Sequence, residues 1–219
     1  MKPRLSQHFL AAPEFLEEIA GVLPLRGETV LEIGAGTGLL TLELAKRARK
    51  VVAVEIDAAL IPELEARLAA NRQENVEIVQ ADALELDCSP YKLIFGAIPY
   101  HISSPLLFKI LATDFRHAVL VLQAEFGQRL VATPGSPDWS RLSVMTQAAS
   151  APEIVDYIPA ICFSPPPKVD SVIVHLTALA KEKRAKLDET LVAALFQHKN
   201  QSVKKALLHS ERGLGREEV

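Results

Sequence analysis

The chain is read as an α/β protein built on a doubly wound, mostly parallel sheet, and three observations predict it. Short β-branched runs alternate with helical stretches across residues 29–122. A glycine-rich turn, Glu32-Ile-Gly-Ala-Gly-Thr-Gly38, stands at the first strand–helix junction. An acidic residue, Glu55, closes the second strand about 20 residues beyond that turn, the place where such folds take hold of a ribose.

Each element follows from a local pattern. Residues 29–33 and 51–54 are runs rich in Val, Leu and Ile on either side of an amphipathic helix at 39–48. A second helix at 58–71 precedes strands at 76–79 and 93–95, a helix at 104–111 and a strongly apolar strand at 118–122. Strands separated by helices pair in parallel with right-handed crossovers, so helices should cover both faces. Beyond residue 122 the alternation loosens. A helix is expected at 124–131, a breaker-rich loop at 133–139, and closing elements at 142–148, 154–158 and 172–176. The last two, joined through the proline-rich stretch 159–168, predict an antiparallel hairpin at the sheet edge. The charged run 181–186 leads into two helical segments, 188–198 and 202–209, with Asp188 as N-cap of the first. A boundary near residue 179 divides the sequence into a main unit, 1–178, and a small C-terminal helical module, 179–219. That module is too short for a core of its own and should pack on the main unit.

Bulk composition narrows the function. The 219 residues carry a net charge of −3, which weighs mildly against a nucleic-acid partner, but the charge is unevenly placed. Residues 1–90 hold 9 Lys and Arg against 15 Asp and Glu, whereas residues 179–219 hold 9 against 6, so a basic tail follows an acidic first third. Cys88 and Cys162 lie far apart without metal-ligand or redox spacing, so no metal site is expected and reduced thiols fit a cytoplasmic protein. No leader and no membrane span are expected, since no apolar run approaches the roughly 18 residues a span needs.

The candidate site begins at the glycine turn. Gly34, Gly36 and Gly38 allow a tight backbone and close approach of a ligand. A dinucleotide fingerprint would place a small residue where Leu39 stands, which disfavours an NAD-dependent oxidoreductase. Asp82, after the third strand, could accept from an adenine amino group, although Asp in that position is often a simple cap. The ordered set of the three glycines, Glu55 and Asp82 is more specific than any member. At the other end, Phe95-Gly-Ala-Ile-Pro-Tyr-His-Ile-Ser-Ser-Pro105 closes a strand with a rigid turn and opens a helix.

The Gly-Xaa-Gly-Xaa-Gly spacing resembles the S-adenosylmethionine loop. The Ile98-Pro99-Tyr100 turn resembles the Asn-Ile/Leu-Pro-Tyr/Phe signature of adenine N6-methyltransferases, with Ala97 at the asparagine position. With Gln7-His-Phe-Leu10, Phe163-Ser-Pro-Pro-Pro-Lys-Val-Asp-Ser171 and Phe196-Gln-His-Lys-Asn200, the resemblance extends over nearly the whole chain to the small-subunit rRNA adenine N6,N6-dimethyltransferases, the KsgA-type enzymes. The stretches at 113–115, 123–126 and 140–143 are closer to its archaeal and eukaryotic members. The C-terminal helical domain is expected to be shorter than in most relatives.

This resemblance implies a class I, Rossmann-like methyltransferase sheet, S-adenosylmethionine as cofactor, and small-subunit rRNA or a pre-ribosomal small subunit as partner, with the protein monomeric when free. The target is implied to be two neighbouring adenosines near the 3′ end of that rRNA, each dimethylated. It adds His8, Leu10, Ala83 and Ala97 to the cofactor set. The base would be met by Ala97, Ile98, Pro99, Tyr100 and Phe163, the two aromatics giving stacking faces and the Ile98 carbonyl accepting from the amino group. Lys168, Lys181, Lys183, Arg184, Lys204 and Lys205 are the implied RNA contacts, and ordinary surface residues otherwise. Ala97 leaves two readings standing, a dimethyltransferase with reduced turnover and a catalytically impaired ribosome-assembly factor, and the shared turn adds a third, the related Erm-type large-subunit enzyme. The proline-rich and tail motifs favour a small-subunit protein over the Erm type.

Overall fold

In the computed structural model, residues 8–185, 187–198 and 201–209 are described. Strand β1 (Phe9–Leu10) leads into helix α1 (Pro13–Gly21). The core then runs β2 (Thr29–Ile33), α2 (Leu39–Ala45), β3 (Lys50–Glu55), α3 (Ile61–Ala70), β4 (Val76–Gln80), β5 (Leu93–Ala97), α4 (Ser103–Leu111), β6 (His117–Gln123) and α5 (Ala124–Val131). It closes with α6 (Arg141–Ala149), β7 (Ser150–Ile158), β8 (Phe163–Ser164) and β9 (Ser171–Ala178), followed by α7 (Glu189–Gln197) and α8 (Val203–His209).

Seven strands form one sheet in the order β4-β3-β2-β5-β6-β9-β7. The first five are parallel, and β9 pairs antiparallel with both β6 and β7. The hairpin expected at the edge is present, with β7 outermost and β9 inserted beside β6. Helices α1, α2 and α3 bury Leu16, Ile19, Leu40, Leu44 and Leu64 on one face, and α4, α5 and α6 bury Leu106, Ile110, Leu130 and Leu142 on the other. Strand order reverses between β2 and β5, which run parallel, so the crevice at their carboxyl ends is the topological switch point where ligands bind in this architecture.

Sequence reading passed over helix α1, although Pro13 occupies a first-turn position that suits proline and Leu16, Ile19 and Ala20 share its buried face. Most other boundaries shift by one to three residues. Helix α2 ends at Ala45 rather than 48, because the chain turns back there to deliver Arg49 and Lys50 to the Glu28 carbonyl. The Asp188 carboxylate accepts from the Thr190 and Leu191 amides and caps α7 as expected. Helix α7 lies against α6, with Arg141 paired to Glu189 at 3.4 Å. Among the described residues no helix is long and apolar enough to cross a membrane.

Candidate cofactor and base site

A cavity of about 600 Å³ opens at the switch point. Its walls include the loops after β2, β3, β4 and β5 and the β1–β8 segment.

The glycine loop is held by its own backbone. The Gly34 and Ala35 amides both donate to the Val54 carbonyl, at 2.9 and 3.0 Å, which ties the loop to β3. Gly36 has φ +56°, and a Cβ there would meet the Phe9 ring at 3.0 Å. Gly38 has φ +86°, and a Cβ would lie 2.4 Å from Leu64 Cδ1, so this glycine lets α3 pack against the start of α2. Gly34 and Gly36 line the cavity; Gly38 does not, and contributes through packing.

Glu55 is 5% exposed and fixed from both sides. The Gly36 amide donates to Oε2 at 2.8 Å and the Asp57 amide to Oε1 at 2.8 Å. Each oxygen keeps a lone pair for a further donor, which suits a pair of vicinal hydroxyls. The next residue, Ile56, lines the same wall with an exposed apolar side chain that sequence reading did not single out. Asp82 also lines the cavity; its Oδ1 accepts from the Leu84 amide at 2.8 Å, so it caps its own turn and leaves the other oxygen open to a ligand. Ala83, Leu10 and His8 are lining residues too.

Glu32 is the second residue that the sequence did not flag. It reads as a strand position, yet it lines the cavity at 1% exposure, with Oε2 buried and lacking a hydrogen-bond partner. Burial pushes its carboxyl up to about 7; the nearby Thr41 hydroxyl opposes this, without a well-formed hydrogen bond, and the Glu55 charge reinforces it.

The opposite wall is the turn after β5. Ala97, Ile98, Pro99 and Tyr100 all line the cavity. The Ile98 amide donates to the Val121 carbonyl at 3.1 Å, and the Pro99 carbonyl accepts from Ile102, so the turn is anchored on both flanks. The Tyr100 hydroxyl lies 3.0 Å from the Ser171 hydroxyl, and its ring stacks with His8 at 6.3 Å between centroids and 26° between planes. His101 stands exposed in the same lining, within a short 3-10 turn. Phe163 is 5% exposed, and its ring reaches the cavity from the core cluster.

Strands β1 and β8 form a two-stranded antiparallel ribbon, Phe9 facing Ser164 and Leu10 facing Phe163. His8 Nδ1 donates to the Pro165 carbonyl at 2.7 Å. Two motifs at opposite ends of the sequence therefore meet beside the cavity. Gln7, Lys199 and Asn200 lie outside the described residues.

The basic residues lie elsewhere. Lys168, Lys181, Lys183, Lys204 and Lys205 are exposed, and none lines the cavity. Lys181 pairs with Asp114 at 3.1 Å. Arg184 points inward: its guanidinium donates to the Leu179, Thr113 and Phe115 carbonyls and lies over the Phe115 ring. It fastens the segment after β9 to the base of the sheet, a structural role that the basic run alone does not suggest.

The family model described as ribosomal RNA adenine dimethylase matches residues 1–215. The chain is 43% identical to the probable ribosomal RNA small subunit methyltransferase A of Pyrococcus abyssi, covering 99% of this chain and 79% of the relative. The protein so described from Methanopyrus kandleri is also 43% identical, over 94% and 76%. Among solved structures, a dimethyladenosine transferase from Plasmodium falciparum superposes with TM-score 0.85 at 33% identity, covering 91% of this chain and 74% of that one. The 23S rRNA methyltransferase ErmE gives 0.76 at 35%, over 95% and 86%. With a glycine loop, a braced Glu55 and an Ile-Pro-Tyr turn lining one cavity, and with relatives of this kind along its whole length, the chain belongs to the ribosomal RNA adenine dimethylase family.

Proposed function

We propose that this protein uses S-adenosylmethionine to dimethylate N6 of adenosine in small-subunit rRNA, at two adjacent positions near the 3′ end. The observation that carries the reading is the union, in one cavity, of Glu55 with spare acceptor capacity on one wall and the Ile98 backbone with Tyr100 on the other. The residues fit the cofactor: Gly36 leaves no room for a side chain beneath Phe9, Glu55 can take two ribose hydroxyls, Ile56 offers an apolar face, and Asp82 keeps an oxygen for an amino group.

When bound, S-adenosylmethionine would supply a methyl group on positively charged sulfur for transfer to N6, with an N6 proton released to water. The chain's own work is positioning, because the N6 lone pair is conjugated with the ring and is a poor nucleophile. The base must leave its stack to enter the cavity. Pro99 biases Ile98 toward an extended backbone, which aims its carbonyl, and Tyr100 and Phe163 offer aromatic surface. The exposed Lys168, Lys181, Lys183, Lys204 and Lys205 supply phosphate contacts.

The test is transfer of labelled methyl groups to small subunits lacking the modification, with the products mapped by nucleotide. Dimethyladenosine at two adjacent positions is expected, with subunit affinity falling as salt rises. Label confined to large-subunit rRNA would point to the Erm-type activity. Salt-sensitive subunit binding without transfer would point to an assembly factor.

A further inference from the structure

The wall that would face the amino group of an adenine is chemically lopsided. Ala97 ends β5 with a methyl group beside the cluster that holds Val121 and Phe163. Ile98 buries its side chain in the opposite cluster, so what it turns toward the cavity is backbone. No hydrogen bond to its carbonyl is formed among the described residues. The polar groups of Pro99 and Tyr100 are already engaged, and the exposed His101 ring stands beyond them in the 3-10 turn. The Pro99 carbonyl takes the Ile102 amide and the Ser103 hydroxyl, proline has no N–H, and the Tyr100 hydroxyl is held by Ser171. The Ala97 carbonyl is pressed against the loop, where a Cβ on Gly34 would stand 3.1 Å away.

The turn therefore presents one free acceptor and one methyl surface. An adenine amino group brings two N–H donors, one of which finds no acceptor on this wall. An N6-methylamino group brings one donor and one methyl. Burying a donor without a partner is costly, whereas burying a methyl against a methyl is favourable.

We propose that the pocket recognises N6-methyladenosine in preference to adenosine, with Ala97 as the residue that sets the preference. The proposal rests on the methyltransferase reading above. It implies that the second methylation of each adenosine outruns the first, so that the monomethylated base does not accumulate.

The test uses the full-length protein and small subunits reassembled with a ligated synthetic 3′ rRNA segment carrying either adenosine or N6-methyladenosine at the target. Two quantities are read: equilibrium affinity in the presence of S-adenosylhomocysteine, and single-turnover methyl transfer. The native protein should favour the methylated base about tenfold in each, the usual effect of one buried unpaired donor. In Ala97→Asn the added carboxamide oxygen takes the second N–H, and the preference should vanish or reverse. An unchanged circular dichroism spectrum and a cooperative thermal transition show that this variant is folded. Equal affinity and rate for the two RNAs in the native protein would overturn the proposal without touching the methyltransferase reading. So would a preference unmoved by Ala97→Asn. Failure of transfer to both RNAs, with the affinity preference retained, would uphold the pocket's specificity and discard the catalytic reading instead.

Discussion

The two walls of the cavity are built to different standards. On the glycine-loop wall, the polar groups at the loop are set by the fold before any ligand arrives. Val54 fixes the Gly34 and Ala35 amides, and Gly36 and Asp57 fix the two oxygens of Glu55. On the turn wall, Ala97 provides only a methyl, and the Ile98 carbonyl faces the site as the free acceptor. The first wall is suited to a constant ligand, whose groups never change. The second is suited to a base whose amino group changes from two donors to one and then to none as methyl groups are added. Preorganisation is valuable where the ligand is invariant, and a single acceptor next to an apolar surface is tolerable where it is not.

The sharpest way to break this contrast is to damage the better-built wall. Glu55→Ala removes acceptors for the ligand and also leaves the Gly36 and Asp57 amides without their carboxylate. Hydrogen bonds to a charged group contribute about 1.5–3 kcal/mol each, so S-adenosylhomocysteine affinity should fall by about a hundredfold or more in calorimetry. Affinity within threefold of native would mean that Glu55 is only a brace for the loop. Glu55→Gln is the companion variant: with one oxygen replaced by an amide nitrogen, one of the two backbone donors loses its acceptor, and an intermediate loss is expected.

Glu32 tests the same wall through pH. Its carboxyl is raised by burial to about 7 against an ordinary 4.5, so the folded protein binds a proton more tightly than the unfolded chain does. Stability from this residue is fully present below about pH 4.5 and is lost as pH rises through about 7. Glu32→Gln, a neutral isostere of the protonated acid, should raise the melting temperature of the ligand-free protein by about 5 °C at pH 8, corresponding to on the order of 2 kcal/mol. At pH 4 the gain should be close to zero. A gain equal at both pH values would show that the carboxyl is not carrying an ionisation penalty.

These two acids also show what a sequence makes legible. Glu55 was readable because the strand before it and the glycine turn set its place about 20 residues on. Glu32 follows the same strand logic but is disguised as one residue among apolar neighbours, and its orphaned oxygen exists only once α2 is folded over it. The parallel strands and the Ile-Pro-Tyr turn declared themselves through short-range periodicity and rigid residues. The β1–β8 ribbon did not, because each strand has two residues and its partner lies at the far end of the chain. Arg184 read as one more charge in a basic run, and its inward course depends on carbonyls at Thr113 and Phe115 that no local pattern associates with it.

The smallest expected effects lie on the turn wall and separate its two aromatic residues. Tyr100 is half-buried, tied to Ser171 through its hydroxyl and stacked on His8, whereas Phe163 is packed in the core and paired through its backbone with Leu10. Replacing either with Ala should weaken binding of the target adenosine by about tenfold, in the range of one lost base-stacking contact, while S-adenosylhomocysteine affinity changes little. Their stabilities should diverge: Phe163→Ala empties a core site and should cost about 3 kcal/mol, and Tyr100→Ala clearly less. Tyr100→Phe keeps the ring and loses only the bond to Ser171, so it should retain base affinity within about threefold, the scale of one ordinary hydrogen bond. Filter binding of target RNA beside chemical denaturation reads both quantities on the same preparations. If Tyr100→Phe loses as much base affinity as Tyr100→Ala, the hydroxyl rather than the ring face is what the base meets, and the stacking role assigned to this wall is wrong.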